Sequence, residues 1–187
     1  MLSRSDLQTH DAVLAVDVQV DFCPGGSLPI PRGDEVVPEL NPWLAAAAAR
    51  GLPAVLSRDW HPEGHPSFTE RGGPWPRHCV QDTPGAAFHP ALLLPPGAIK
   101  VSKGVRFDKD QSSAFDETGL ALELRRRSTA RLFVGGLALE VCVLASVLDA
   151  RLAGFDVVVL GSACRPVSAA ESDRALGRMR AAGARLA

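Results

Sequence analysis

Gly135-Gly136-Leu137-Ala138-Leu139-Glu140-Val141-Cys142-Val143 is the stretch around which the chain is organised. An apolar run, Ala130 to Val134, leads into it, and a helix-like stretch, Val141 to Ala153, leads out. The pattern is strand, turn, helix, and the paired glycines predict a tight turn between the two elements. That turn delivers Cys142 to the opening turn of the helix. Unpaired backbone N–H groups and the positive end of the helix dipole favour the thiolate there, which is the reactive form. A cysteine in isolation reads as a buried residue on an apolar helix face. What the rest of the chain places nearby decides between the two.

Working outward, the same alternation recurs. Ala12 to Val18 reads as a strand buried on both faces, with Asp17 near its end. Glu35 to Arg50 reads as a helix, with Asp34 as N-cap and Gly51 as stop. Leu52 to Ser57 is the second strand, followed at once by R-D-W-H-P-E-G-H. Ala98 to Ser102 is the third and ends at Lys103. Gly119 to Arg127 is the next helix, Asp156 to Leu160 a fifth strand, Ala169 to Ala182 the last helix, and Ala184 to Leu186 a short final strand. Apolar strands alternating with helices predict an α/β fold: a three-layer α/β/α sandwich with a mostly parallel, doubly wound sheet. In such sheets the binding crevice lies outside the carboxyl ends of the strands. Asp17, Asp59, Lys103 and Cys142 all fall at or just past a strand's carboxyl end, so they are expected at one edge of one sheet.

The 187 residues suit one domain, 1–187, interrupted by a loop insertion at about 59–97. Loops of that length inside a compact domain are usually functional. The net charge of −1 and the lack of a basic block give no support for a nucleic acid or an anionic membrane as partner. No apolar run approaches the roughly 20 residues of a membrane helix, and the first residues lack a signal peptide's apolar core. Cytoplasmic localisation is the expectation. Four cysteines fit a reducing compartment better than a disulfide framework.

The insertion carries a metal-type cluster. D-W-H-P-E-G-H offers Asp59, His61 and His65, and W-P-R-H-C adds His78. A carboxylate with three imidazoles is a mixed O/N set suited to one divalent ion: zinc first, iron or manganese as alternatives. Asp59 and His61 are two apart, so an extended backbone points both the same way. Glu63 is a candidate extra ligand, and Cys79 a less suitable soft one. The second set is Asp17, Lys103 and Cys142. A thiol nucleophile needs a base for its proton and an acid for the leaving group. Asp17 can be both, and Lys103 can neutralise it at a buried strand end. The N–H groups around Ala138 and Cys142 are placed for an oxyanion hole.

These motifs resemble the nicotinamidase/pyrazinamidase group of the isochorismatase-like cysteine hydrolases. The resemblance runs from about Ala12 to Leu186, through A-V-D-V-Q-V-D-F-C-P-G-G-S-L, R-D-W-H-P-E-G-H-P-S-F, W-P-R-H-C-V-Q-D-T-P-G-A-A-F-H-P, K-G, S-A-F-D-E-T-G-L and G-G-L-A-L-E-V-C-V. The D-W-H…H and W-P-x-H-C elements separate nicotinamidases from metal-free relatives. The resemblance implies the isochorismatase-like hydrolase fold and hydrolysis of nicotinamide to nicotinate and ammonia, a step of NAD salvage, with pyrazinamide a further substrate. It implies that Cys142 attacks the amide carbon, that Asp17 moves the proton, and that the metal binds the pyridine nitrogen. It places Phe22, Trp75 and Leu137 at the substrate and a cis peptide at Leu137–Ala138. The partner is then a small molecule, with homo-oligomerisation open. Where the family usually reads Thr-Asp after the alanine of the turn, this chain has Leu139 and Glu140. That departure motivates an alternative, an amidase for another small amide or ureido compound. A catalytically lapsed ligand-binding homologue is a third reading.

Overall fold

The computed structural model describes residues 3–187. Its six strands are β1 (Asp11–Val16), β2 (Ala54–Asp59), β3 (Ile99–Lys103), β4 (Arg131–Leu137), β5 (Asp156–Arg165) and β6 (Arg185–Leu186). They form one sheet in the order β3-β2-β1-β4-β5-β6, and every pairing is parallel. Four helices cross over between them: α1 (Val36–Ala49), α2 (Leu120–Arg126), α3 (Leu144–Leu152) and α4 (Ala169–Ala181). The strand order reverses direction between β1 and β4, which opens the crevice where doubly wound sheets bind ligands.

β1, β4 and β5 carry continuous apolar runs because both faces are covered. Val13, Ala15, Leu56, Phe133 and Val158 pack with Val37, Leu40 and Leu44 of α1 on one face. Leu14, Val16, Val55, Leu132, Val134 and Val159 pack on the other with Leu124 of α2, Val147 of α3 and Met179 of α4. Successive residues of β1 therefore serve opposite layers, as the two-residue period of a strand requires. The result is an α/β sandwich with α1 on one side and α2, α3 and α4 on the other. Among the described residues, no helix is long and apolar enough to cross a membrane.

Two local expectations fail. Asp34 does not cap α1; it lies inside a short 3-10 turn, Gly33–Glu35, and the helix starts at Val36 without a side-chain cap. Gly135 and Gly136 do not form a turn; they are the late residues of β4. The glycines serve a close approach instead. Val16 is the register partner of Gly136, and a Cβ on Gly136 would stand 2.0 Å from the Val16 carbonyl oxygen, at a φ of +134. The chain turns one step later, at the cis peptide Leu137–Ala138. A π-helical turn, Leu139–Val143, then leads into α3.

Gly136→Ala is therefore expected to lower stability by about 3 kcal/mol or more, combining overpacking with an unfavourable φ. Gly177→Ala, inside α4 with open space around the added methyl, should raise stability by about 0.5–1 kcal/mol. Urea denaturation midpoints of the two variants check both signs.

Candidate active site

The carboxyl ends of the first four strands meet as the chain's pattern requires. Asp59 and Lys103 are register partners on β2 and β3. Asp17 follows β1 in the left-handed region, at φ 50, a conformation that aspartate tolerates better than most residues. Lys103 Nζ lies 2.7 Å from Asp17 Oδ2 and 2.6 Å from Asp59 Oδ1. It also lies 3.4 Å from Cys142 Sγ. Lys103 and Asp17 are both fully buried, and Ser57 Oγ donates to Asp17 Oδ1 at 2.6 Å. The cysteine sulfur and carboxylate oxygens of Asp17 and Asp59 lie within 4.8 Å of one another. Ion-paired Lys103 thus joins two carboxylates to the thiol.

Burial sets the protonation states. It would push the Lys103 ammonium down, but Asp17, Asp59 and Cys142 outweigh it and hold the amine charged. Burial, with the Asp59 charge, raises the Asp17 carboxyl against the opposing pull of Lys103 and Ser57. Asp59 goes the other way: burial raises it, while Lys103 and His61 overcome this and hold it well below the carboxylate range. Burial pushes the Cys142 thiol well up, and the two carboxylates add to this against Lys103. Burial thus opposes the helix-start contribution to a thiolate, while Lys103 favours it, and the Asp17 carboxyl lies beside the sulfur.

Asp59 is also the link to the imidazoles. Its second oxygen lies 3.6 Å from His61 Nε2, and ligand atoms of Asp59, His61 and His78 fall within 4.8 Å of one another. His61 Nδ1 meets the Gly104 carbonyl at 2.9 Å and His78 Nδ1 meets the Pro76 carbonyl at 2.7 Å. Facing carbonyls, both Nδ1 atoms are placed as donors, which leaves Nε2 as the ligating nitrogen once a metal displaces any proton there. The His61 contact requires glycine at 104, where a Cβ would stand 2.3 Å from the ring. His65 Nδ1 meets Ser67 Oγ at 2.7 Å, and its Nε2 is buried with no partner among the described residues. Burial lowers His65 to about 4 and lowers His78 as well, so both are neutral near pH 7. A buried imidazole nitrogen with no partner among the described residues, two more imidazoles with their outer nitrogens fixed, and an ionised carboxylate fit a divalent cation.

Above these groups lies a cleft of roughly 450 Å³, counting the space open to solvent at its mouth. Phe22, Trp75, Asp59, His61, His78, Ala138 and Cys142 line it. Phe22 stands 5.5 Å from the His78 ring. Leu137 does not reach the cleft: it is fully buried in the α1-side core, because the strand continues through it. That expectation is corrected, and Leu28, Ile30, Val141 and Val167 supply the apolar wall instead. Glu63 is no ligand either; it pairs with Arg77 at 2.6 Å on the surface. The Cys79 side chain lies in the core and in none of the ligand groupings.

Several supporting residues escaped the sequence reading. Buried Gln19 clasps the Asp59 backbone, accepting from its N–H at 2.7 Å and donating to its carbonyl at 2.8 Å. Phe68 is buried among the rings of His61, His65 and His78, at 5.5, 5.8 and 5.6 Å. Asp110, at the cleft mouth, places a carboxylate oxygen within 4.8 Å of ligand nitrogens of His61 and His65. Its position in a polar loop near K-G was the only available sign.

The Isochorismatase domain family matches residues 11–187. The nicotinamidase of Escherichia coli (strain K12) is 37% identical over 198 residues, spanning 94% of this chain and 93% of that protein. The pyrazinamidase of Pyrococcus horikoshii, solved in complex with zinc, superposes with a TM-score of 0.92 at 44% identity, covering 95% of this chain and 98% of the other. PnC1 of L. infantum, solved in complex with nicotinate, superposes at 0.89 with 37% identity, covering 96% and 92%. Given a family match over nearly its whole length and the convergence of carboxylate, amine and thiol on one sheet edge, the chain belongs to the isochorismatase family.

Proposed function

We propose that this protein is a metal-dependent amidase that hydrolyses nicotinamide to nicotinate and ammonia, with pyrazinamide as a further substrate. The observation that carries the reading is the buried Lys103 shared by Asp17, Asp59 and Cys142, because it binds a nucleophile set to a metal-type set under one aromatic-walled cleft. The names and ligands of the relatives supply the substrate class.

In this reading Asp59, His61, His65 and His78 hold the ion. When bound, it supplies a Lewis-acid site for the pyridine nitrogen and offsets the local carboxylate charge. The flat ring lies between Phe22 and Trp75, as aromatic walls favour. Asp17 takes the thiol proton as Cys142 Sγ attacks the amide carbon, and the N–H groups of Ala138 and Cys142 receive the developing oxyanion. The Ala138 N–H makes no backbone hydrogen bond among the described residues, so it is available. Asp17 then protonates the amine, ammonia leaves, and a thioester remains. Water, deprotonated by Asp17, attacks the thioester; nicotinate departs and the thiol regains its proton. Lys103 keeps Asp17 in place and stabilises charge on sulfur throughout.

The alternative, another small amide or ureido compound, rested on Leu139 and Glu140. Neither residue lines the cleft; Leu139 is buried in the core. The intact ion-pair cluster favours catalysis over a lapsed binding protein. We place the enzyme in NAD salvage and in a reducing cytoplasm, where four free thiols persist.

Metal-loaded protein should release ammonia from nicotinamide and pyrazinamide. No release from either would overturn the reading. Cys142→Ala and Asp17→Asn should each lower kcat by about 10³-fold or more without loss of fold, as read by ammonia assay and circular dichroism. Wild-type rates in either would remove that residue's role. Lys103→Met leaves two buried carboxylates side by side. It should abolish turnover and cost about 3–5 kcal/mol of stability in urea denaturation. Chelator dialysis should abolish activity, and a stoichiometric divalent ion should restore it. Full activity in metal-stripped protein would contradict the metal site.

A further inference from the structure

Glu140 is one of the two residues at which this chain departs from its family's usual turn, and its side chain faces away from the reacting groups. Its Oε1 accepts from the Ser168 N–H at 2.7 Å, and its Oε2 accepts from the Val167 N–H at 3.2 Å. These are the backbone groups just ahead of α4. Ser168, the N-cap of α4, makes no side-chain cap of its own, and a carboxylate from the nucleophile's turn satisfies the N–H of that N-cap and of the residue before it. Negative charge at this end of a helix is also favoured by its dipole.

The contact has a consequence in the cleft. Val167 lines the cleft and is 40% exposed. It sits on the segment that leaves β5, which is anchored by charged groups at two points. One is the Arg165–Glu35 ion pair at 2.9 Å; the other is Glu140. On the opposite side of Glu140 in sequence, Val141 and Cys142 line the same cleft. The carboxylate therefore ties the nucleophile's turn to the wall across from it. The turn itself does not depend on this tie: the Ala138 carbonyl accepts from the Val141 and Val143 N–H groups at 3.1 Å each.

We propose that Glu140 is a positioning residue that sets affinity for the substrate ring by holding Val167 against the cleft, an inference that rests on the nicotinamidase reading above. An apolar wall touches the ring equally in ground and transition states. Its displacement should raise KM and leave kcat nearly constant.

The test is steady-state kinetics with nicotinamide on the metal-loaded enzyme, with thermal midpoints for each variant. Glu140→Ala should raise KM about tenfold with kcat within about threefold of wild type. Glu140→Asp, which keeps both acceptor oxygens, should recover most of the lost affinity. Val167→Ala should raise KM similarly, and the double variant should rise no further than about twofold above Val167→Ala, since both changes act through one side chain. Glu140→Gln keeps the shape and one acceptor; it serves should the alanine variant unfold, and its KM should rise about threefold. Unchanged KM in a folded Glu140 variant, a fall in kcat alone, or additive effects in the double variant would overturn the proposal. A wild type that leaves nicotinamide intact would sink the functional reading and this proposal with it. Normal wild-type turnover with unchanged KM in the variants would sink this proposal alone.

Discussion

A fully buried ammonium is costly to desolvate, and Lys103 is tolerated only because Asp17 and Asp59 both lie within 2.7 Å of it. The rest of the site depends on that arrangement. β1, β2 and β3 are neighbours in the sheet, and parallel strands bring their carboxyl ends to one edge at a spacing set by backbone hydrogen bonds. The β2–β3 register pairs Asp59 with Lys103, and the β1–β2 register places Ser57 where its backbone carbonyl accepts from the Asp17 N–H at 3.1 Å. A slip by one residue would turn these side chains into the helical layers.

Asp59 gives the cluster its second function. One of its oxygens neutralises Lys103 and the other faces His61. Charge brought to the imidazoles is therefore felt one residue away at the nucleophile set. The long insertion exists to close the imidazole side. It returns His78 to the sheet edge, where a bridge pairs His61 with Val80, and it buries Phe68 among three rings. The same insertion brings Trp75 to the cleft that Phe22 also lines, so metal-type ligands and an aromatic wall arrive on one segment.

The strand and helix alternation was legible because the central parallel strands, covered on both faces, carry apolar runs, and β1 to β3 each lead to a charged residue. Asp17, Asp59, Lys103 and Cys142 could be placed together from that alone. What was not legible depended on neighbours distant in sequence. Gly135 and Gly136 carry the composition of a turn, but the demand they meet comes from Val16 on the adjoining strand. The burial of Cys142, which opposes a thiolate, is contained in no helix-start rule. Leu137 faces the core because β4 runs on past the glycines. Glu140 departs from the family's usual turn, and its partners lie at 167 and 168, beyond any local pattern.

The central claim is that Cys142 is acylated by the amide substrate. Acid-quenching the metal-loaded enzyme during turnover of nicotinamide, followed by peptide mass spectrometry, tests it directly. The account predicts a nicotinoyl group on the peptide carrying Cys142, absent from Cys142→Ala and lost as substrate is exhausted. Ammonia release with no adduct at Cys142, or an adduct on Cys23, Cys79 or Cys164 instead, would contradict it.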